Sequence, residues 1–217
     1  KYERILAILG AFHARMHNVK KANIIHAELL DYILSYIYPN SNIKKDAYTN
    51  PADFNKPEKI MCVIVLAILS FVKERLKATG VDEASATQVW DYFREEAKKC
   101  SLTMALLVLV EDYENVMLYR SSERASDFDG YMAANRNSMP LNAGSNSREY
   151  MPIMCDLFQW VETRSEFETQ IHRMHGFTGK SENGENVAID YLHENHNLDV
   201  RNGVGHGKIM KGSEKDM

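Results

Sequence analysis

Apolar residues in this chain recur at three- and four-residue steps rather than at every second position, and that period predicts helices. From Ala22 to Tyr38, the residues Ile25, Leu29, Tyr32, Ile33, Tyr36 and Ile37 keep the helical step until Pro39 ends the run. Before it, Ile5, Leu6, Ile8 and Leu9 lead through Gly10 into Phe12–His17. That run suits either a short buried strand feeding a helix or one continuous helix. Residues 39–57 hold Pro39, Pro51 and Pro57 among many Asn and Lys residues and read as a long loop.

A helix is expected to start near Pro57, with Asn55 as its cap and Glu58 three residues on, and to stop at Gly80. It is apolar all round from Ile60 to Val72, which marks a central buried helix. Another begins around Asp82 or Ser85, carries Val89, Trp90 and Phe93, and turns polar from Arg94 to Lys99. Leu102 to Val110 is a second all-apolar run, expected to pack against the first. Further helices are predicted over 123–139, ended by Pro140 and a loop at 141–147, and over 148–161. Thr163 with Glu166 makes a capping box for a short helix through Arg173, residues 176–186 form a glycine-containing loop, and a last helix spans about 187–200. No stretch of useful length alternates with period two, and no internal repeat is present. The expected architecture is all-α or nearly all-α: one helical domain over 1–201, built as a bundle around two central apolar helices, with a flexible tail at 202–217.

The chemistry of greatest interest lies on that last helix. Asp190, Glu194, Asn197 and Arg201 fall in one row at spacings of four, three and four, opposite Ile189, Leu192 and Val200. Such a row with two carboxylates can hold a divalent cation or simply face water; spacing by itself favours the solvated face. A glycine-containing loop leads into the helix, so its first turn is expected to border a loop-lined cleft. His13 and His17 sit at i,i+4, a zinc-compatible spacing, but a third ligand would have to come from remote sequence. His193-Glu194-Asn195-His196 has the wrong spacing for H-E-x-x-H, so structural or surface histidines are the better reading, and a histidine-ligated metalloprotein is the weakest of three. Arg120, Arg124, Arg136 and Arg148 could contact phosphates, but Glu123, Asp127, Asp129 and Glu149 are at hand to pair with them. No phosphate-binding loop, nucleophile elbow or dinucleotide fingerprint is present.

Composition narrows the picture only slightly. A net charge of -4 over 217 residues argues against a surface dominated by nucleic-acid binding, while leaving room for a local basic surface. Cys62, Cys100 and Cys155 are odd in number and far apart, and they suit buried thiols in a reducing, intracellular compartment. The longest apolar run is far short of the roughly 20 residues a membrane span needs, and no signal peptide is recognisable, so no membrane partner is expected. Lys1 in place of a Met suits a processed or excised piece of something longer.

Three segments, taken in order, carry a resemblance. They are Leu9-Gly10-Ala11-Phe12-His13-Ala14-Arg15-Met16; Tyr131-Met132-Ala133-Ala134-Asn135-Arg136-Asn137-Ser138-Met139-Pro140-Leu141 with Arg148-Glu149-Tyr150-Met151-Pro152; and Ala188 to Val200. In this order the chain resembles the C-terminal half of uncharacterised transposon-derived proteins, distantly similar to transposases of the Kyakuja–Dileera–Zisupton kind. The resemblance implies that the segment around Phe12-His13 matches the histidine motif preceding a helical insertion in a ribonuclease-H-like core. It implies further that residues 20–180 are that insertion and Glu194 the final catalytic glutamate. Two-metal phosphoryl transfer with Mg²⁺ would then be the chemistry. Asp190 would assist, and His13, Asn197 and Arg201 would support the site or touch the DNA backbone. It also implies nuclear localisation and DNA as a partner. The family's first catalytic aspartate would lie before Lys1, and one glutamate cannot hold two metal ions, so the chain by itself is expected to be catalytically incomplete. The alternative is a helical protein–protein interaction module without chemistry, binding another protein or a second copy of itself. An apolar patch exposed on the 148–161 helix would favour that alternative, and an open carboxylate cleft beside His13 the transposase-like one.

Overall fold

The computed structural model describes residues 11–37, 39, 55–144, 150–163, 178–180 and 186–188. These residues form helices α1 (Ala11–Ile25), α2 (Ala27–Ile37), α3 (Asn55–Lys77), α4 (Ala86–Ala97), α5 (Ser101–Ala125), α6 (Phe128–Gly144) and α7 (Tyr150–Thr163). One short antiparallel hairpin joins them, β1 (Thr178–Lys180) with β2 (Asn186–Ala188), pairing Gly179 with Val187. The architecture is all-α, as the helical period of the apolar positions requires.

The organising element is α5, whose 25 residues span about 37 Å. Helices α1, α3, α4 and α6 pack directly on it, and β2 lies against it. Two apolar clusters form along its length. The first joins Leu107, Leu109, Val110 and Tyr113 of α5 to Val19, Leu30, Leu34, Ile64, Val65 and Phe93. The second joins Tyr119 to Ala14, Phe128, Tyr131, Met132, Met154 and Leu157. Because α1 and α5 both supply residues to both clusters, the two halves of the core are covalently continuous.

Local signals explain several boundaries. Ser85 is the N-cap of α4: its hydroxyl accepts from the Gln88 N–H while the Gln88 side chain accepts from the Ser85 N–H, a complete capping box. Gly80, at φ 96°, ends α3 in the left-handed region where a side chain would be strained. Ser126 is left-handed as well, at φ 54°, and turns the chain sharply from α5 into α6. Asp127 then accepts from the Gly130 N–H at 3.0 Å and caps the new helix.

Several expectations are corrected. The helix predicted from 123 starts instead at Phe128, because α5 runs on to Ala125 before the Ser126 turn. Pro140 does not end α6, which continues to Gly144. Leu141 and Asn142 beyond it are buried, and Asn142 donates to Ser138 O and Asn18 Oδ1, so tertiary contacts hold a last turn that proline disfavours. Ala22–Tyr38 is divided by a turn residue at His26, although His26 N–H still bonds Ala22 O and Leu30 N–H bonds His26 O. Residues 187 and 188 lie in a strand and not in a helix. The most consequential correction concerns α3: Val63 (56% exposed), Leu66 (64%) and Phe71 (64%) face outward, so this helix is not buried all round. Cys100 and Cys155 are exposed and Cys62 only half-buried, against the expected buried thiols. Thr163, the expected cap of a short helix through Arg173, closes α7 instead; the rest of that helix, the 187–200 helix beyond residue 188 and the 202–217 tail fall outside the described residues.

Candidate functional site

The distinctive chemistry among the described residues is a buried polar layer where α1, α5 and α6 meet. Helical spacing sets it up: Asn135, Ser138 and Asn142 fall at three- and four-residue steps on α6, and Arg15, Asn18 and Ala22 do so on α1. Tyr119 of α5 points into this layer, fully buried, with its hydroxyl 3.1 Å from both Asn135 Oδ1 and Ser138 Oγ. Burial raises the Tyr119 phenol above the ordinary tyrosine range, and hydrogen bonds to Ser138 and Asn18 offset only part of that. Asn135 donates back to Tyr131 O, Asn18 to Ala14 O, and Asn142 bridges to Asn18 Oδ1 at 3.3 Å. Higher along α1, Tyr113 donates to Asn23 Oδ1 at 2.8 Å, and His26 Nε2 lies 2.7 Å from Asp112 Oδ2. Such a layer contributes little net stability per bond, but each bond left unmade is costly.

At one edge the layer becomes ionic. Arg15 of α1 reaches Glu58 of α3 at 2.5 Å with Nη1 and Glu123 of α5 at 3.1 Å with Nε, while Arg120 Nη1 approaches Glu58 Oε2 at 3.3 Å. Both carboxylates are nearly inaccessible, at 5% exposure each, so Arg15 is the counter-charge that allows them inside. Arginine suits this role because one planar fork serves two carboxylates at fixed angles. Arg120 is therefore engaged with Glu58 rather than with the nearby acidic residues expected, and Glu123 with Arg15 rather than with a nearby arginine. Arg136 places its guanidinium over the Phe158 ring, 5.3 Å from the centroid.

The sequence-predicted site residues divide sharply. His13 lies half-buried on α1, two residues from Arg15, with its ring edge-on to Phe12. His17, its i,i+4 neighbour, stacks on Tyr150 at 3.8 Å between centroids. Among the described residues no group of three His, Cys, Asp or Glu side chains could hold a metal ion. The carboxylates beside the His13 helix, Glu58 and Glu123, are gripped by arginine, so the cleft there is not open. Asp190, Glu194, Asn197, Arg201 and Arg148 lie outside the described residues. The chain does lead toward them from a fixed point: Asn186 of β2 donates its side-chain N–H to Arg124 O at 2.9 Å, next to the Glu123 that Arg15 holds.

Sequence reading missed Arg15, Glu58 and Tyr119 as a cooperating set. Their separation in the chain hides the pairing, although polar residues at the inward step of otherwise apolar helices are the available signal. A groove of about 970 Å³ between α5 and α6, lined by Glu111, Glu114, Asn115, Arg136 and Leu141 among others, also had no linear signature. Burial, and then the charge of Glu111, raise the Glu114 carboxyl there, against the opposing pull of Arg94. The Asn115 Oδ1 is buried with no partner among the described residues and is itself closed off from the groove.

Among the described residues, the helix over 150–163 shows no exposed apolar patch of the kind that would favour the interaction-module alternative. Met154 and Leu157 of α7 are buried and Ile153, Phe158, Trp160 and Val161 half-buried. Exposed large apolar side chains occur instead on α2 (Tyr32, Tyr36), α3 (Val63, Leu66, Phe71) and the start of α5 (Leu102, Met104, Val108). No described helix is long and apolar enough to cross a membrane. The chain matches no protein-family model, no curated protein and no solved structure.

Proposed function

We propose that this chain is the helical part of a transposase-like protein, catalytically incomplete by itself, in which Glu194 and Asp190 are the remnant of a divalent-metal site. One observation supports the reading best: the hairpin that leads to the acidic row is anchored beside the helix bearing His13. Asn186 holds the backbone of Arg124, and the adjacent Glu123 is held by Arg15, two residues from His13. Asp190 follows Asn186 by four residues, a length of chain that reaches at most about 14 Å. The buried polar layer is the scaffold in this reading. It locks α1, α5 and α6 in one relative orientation, which a metal site assembled from both ends of a chain requires.

The test has two arms. The purified chain is titrated with Mn²⁺ and followed by water-proton relaxation, then incubated with supercoiled plasmid and Mg²⁺ or Mn²⁺. Weak Mn²⁺ binding that Glu194→Gln and Asp190→Asn each diminish is expected, with no nicking. Binding unchanged by both substitutions removes the metal-site reading. Metal-dependent nicking lost in Glu194→Gln overturns the claim of incompleteness.

A further inference from the structure

The groove between α5 and α6 serves neither the buried layer nor the transposase-like reading, and its charge is one-sided. On α5, Glu111, Glu114 and Leu118 follow the three- and four-residue step that places them on one face, with Asp112 beside them. Half-buried Met117 and Leu118 and buried Leu141 give the groove an apolar floor, with about 970 Å³ above it. Asp112 is paired with His26, but among the described residues no ion pair engages Glu111 or Glu114, although both are exposed. Arg136 is the cation of the lining, and its guanidinium lies over the Phe158 ring of α7. Pro140 on the α6 wall adds a further acceptor. It has no N–H to give the carbonyl of Arg136, four residues back, so that oxygen lacks its helical donor where both residues line the groove.

We infer that this groove seats a basic amphipathic helix of a partner protein. From Glu111 to Ser121 the α5 wall runs about 15 Å, roughly three helical turns. Two helices side by side with an apolar floor between them are the seat that a third helix takes in a bundle. Lysine or arginine on the flanks of the incoming helix meets Glu111 and Glu114, while its apolar side covers Met117, Leu118 and Leu141. Charge selects this partner over nucleic acid or an acidic peptide, whose anions the carboxylates repel. The partner's cations also relieve a tension that the chain leaves in place. Burial and then Glu111 raise the Glu114 carboxyl, and Arg94 of α4, itself over Trp90 and 3.8 Å from Asp91, offsets less than Glu111 adds. The inference does not depend on any metal chemistry.

Fluorescence anisotropy tests it, using the full chain and a labelled synthetic peptide of Leu and Lys patterned as an amphipathic helix of about fourteen residues. Saturable binding in the micromolar range is expected. In methyl-labelled protein the Met117 resonance, assigned with Met117→Leu, should shift as the peptide is added. Joint reversal by Glu111→Lys and Glu114→Lys should raise the dissociation constant at least about tenfold, and the milder pair Glu111→Gln and Glu114→Gln about threefold, with circular dichroism confirming each fold. A peptide of the same composition, scrambled so that no apolar side forms, should bind at least about tenfold more weakly. Absence of saturable binding overturns the inference. So does binding that leaves Met117 unmoved, or that is indifferent to both glutamate pairs. Equal binding of the scrambled peptide overturns it too, since charge without an apolar side would then suffice.

Discussion

Arg15 is the residue on which the interior depends most. It holds two carboxylates that are each 5% exposed, from helices separated by 43 and 108 positions in the chain. Arg15→Met removes the guanidinium that pairs with buried Glu123 and leaves Glu58 with the longer contact to Arg120. A loss of about 3–5 kcal/mol is expected, read as a fall in the urea midpoint. Replacing Glu58 and Glu123 by Met as well should recover much of that loss, since no buried charge is then left alone and Arg120 can turn to solvent. If the triple variant is no more stable than Arg15→Met, the ionic account of this edge is wrong. Cys100 illustrates the opposite case, where a local signal misleads. Its apolar neighbours in sequence suggest burial, yet it sits exposed at the start of α5, its thiol lowered by the backbone and hydroxyl of Thr103 and the backbone of Leu102.

At the scale of elements, the α5–α6 junction is the sharpest feature. Two long helices meet through Ser126 in the left-handed region and Asp127 as a cap, and Gly130 lies in the first turn of α6 with no room around its Cα. A Cβ built there would come within 2.5 Å of both Asp127 Oδ2 and Ser122 Oγ. Gly130→Ala should therefore destabilise by about 1–3 kcal/mol despite alanine's better helix propensity, since the clash displaces the capping carboxylate. A rise in thermal midpoint in Gly130→Ala would show that the cap relaxes freely. The same junction explains why the helix predicted at 123–139 begins late. The inward positions of the last turns of α5 are Ser122 and Glu123, so no apolar period marks how far α5 extends, and a serine in a left-handed turn has no propensity signature comparable to glycine's. The Ser85–Gln88 capping box is purely local, and it decides between the two starts, Asp82 and Ser85, that the sequence reading left open.

Over the whole molecule, α1 and α5 thread both apolar clusters, and the buried polar layer crosses between them. Neither cluster can lose its packing without exposing residues of the other, so unfolding should be a single transition. Near- and far-ultraviolet circular dichroism in urea are expected to coincide. Two separated transitions would mean that the clusters are independent folding units.

The all-α class, the paired apolar runs of α3 and α5, and a start of α4 near Asp82 or Ser85 follow from sequence alone. They depend on the period of apolar positions and on contacts within a few residues, both of which are present in the chain before it folds. Which faces of those helices are buried did not follow. An all-apolar run such as Ile60–Leu69 has no phase, so only packing decided that Ile64 and Val65 turn inward while Val63 and Leu66 turn outward. Pairings across long stretches of chain, such as Arg15 with Glu58 and Glu123, Tyr119 with Asn135 and Asn142 with Asn18, were likewise decided by tertiary structure. A charge or an amide buried in low dielectric must find a partner wherever the fold brings one, and sequence distance does not enter that condition.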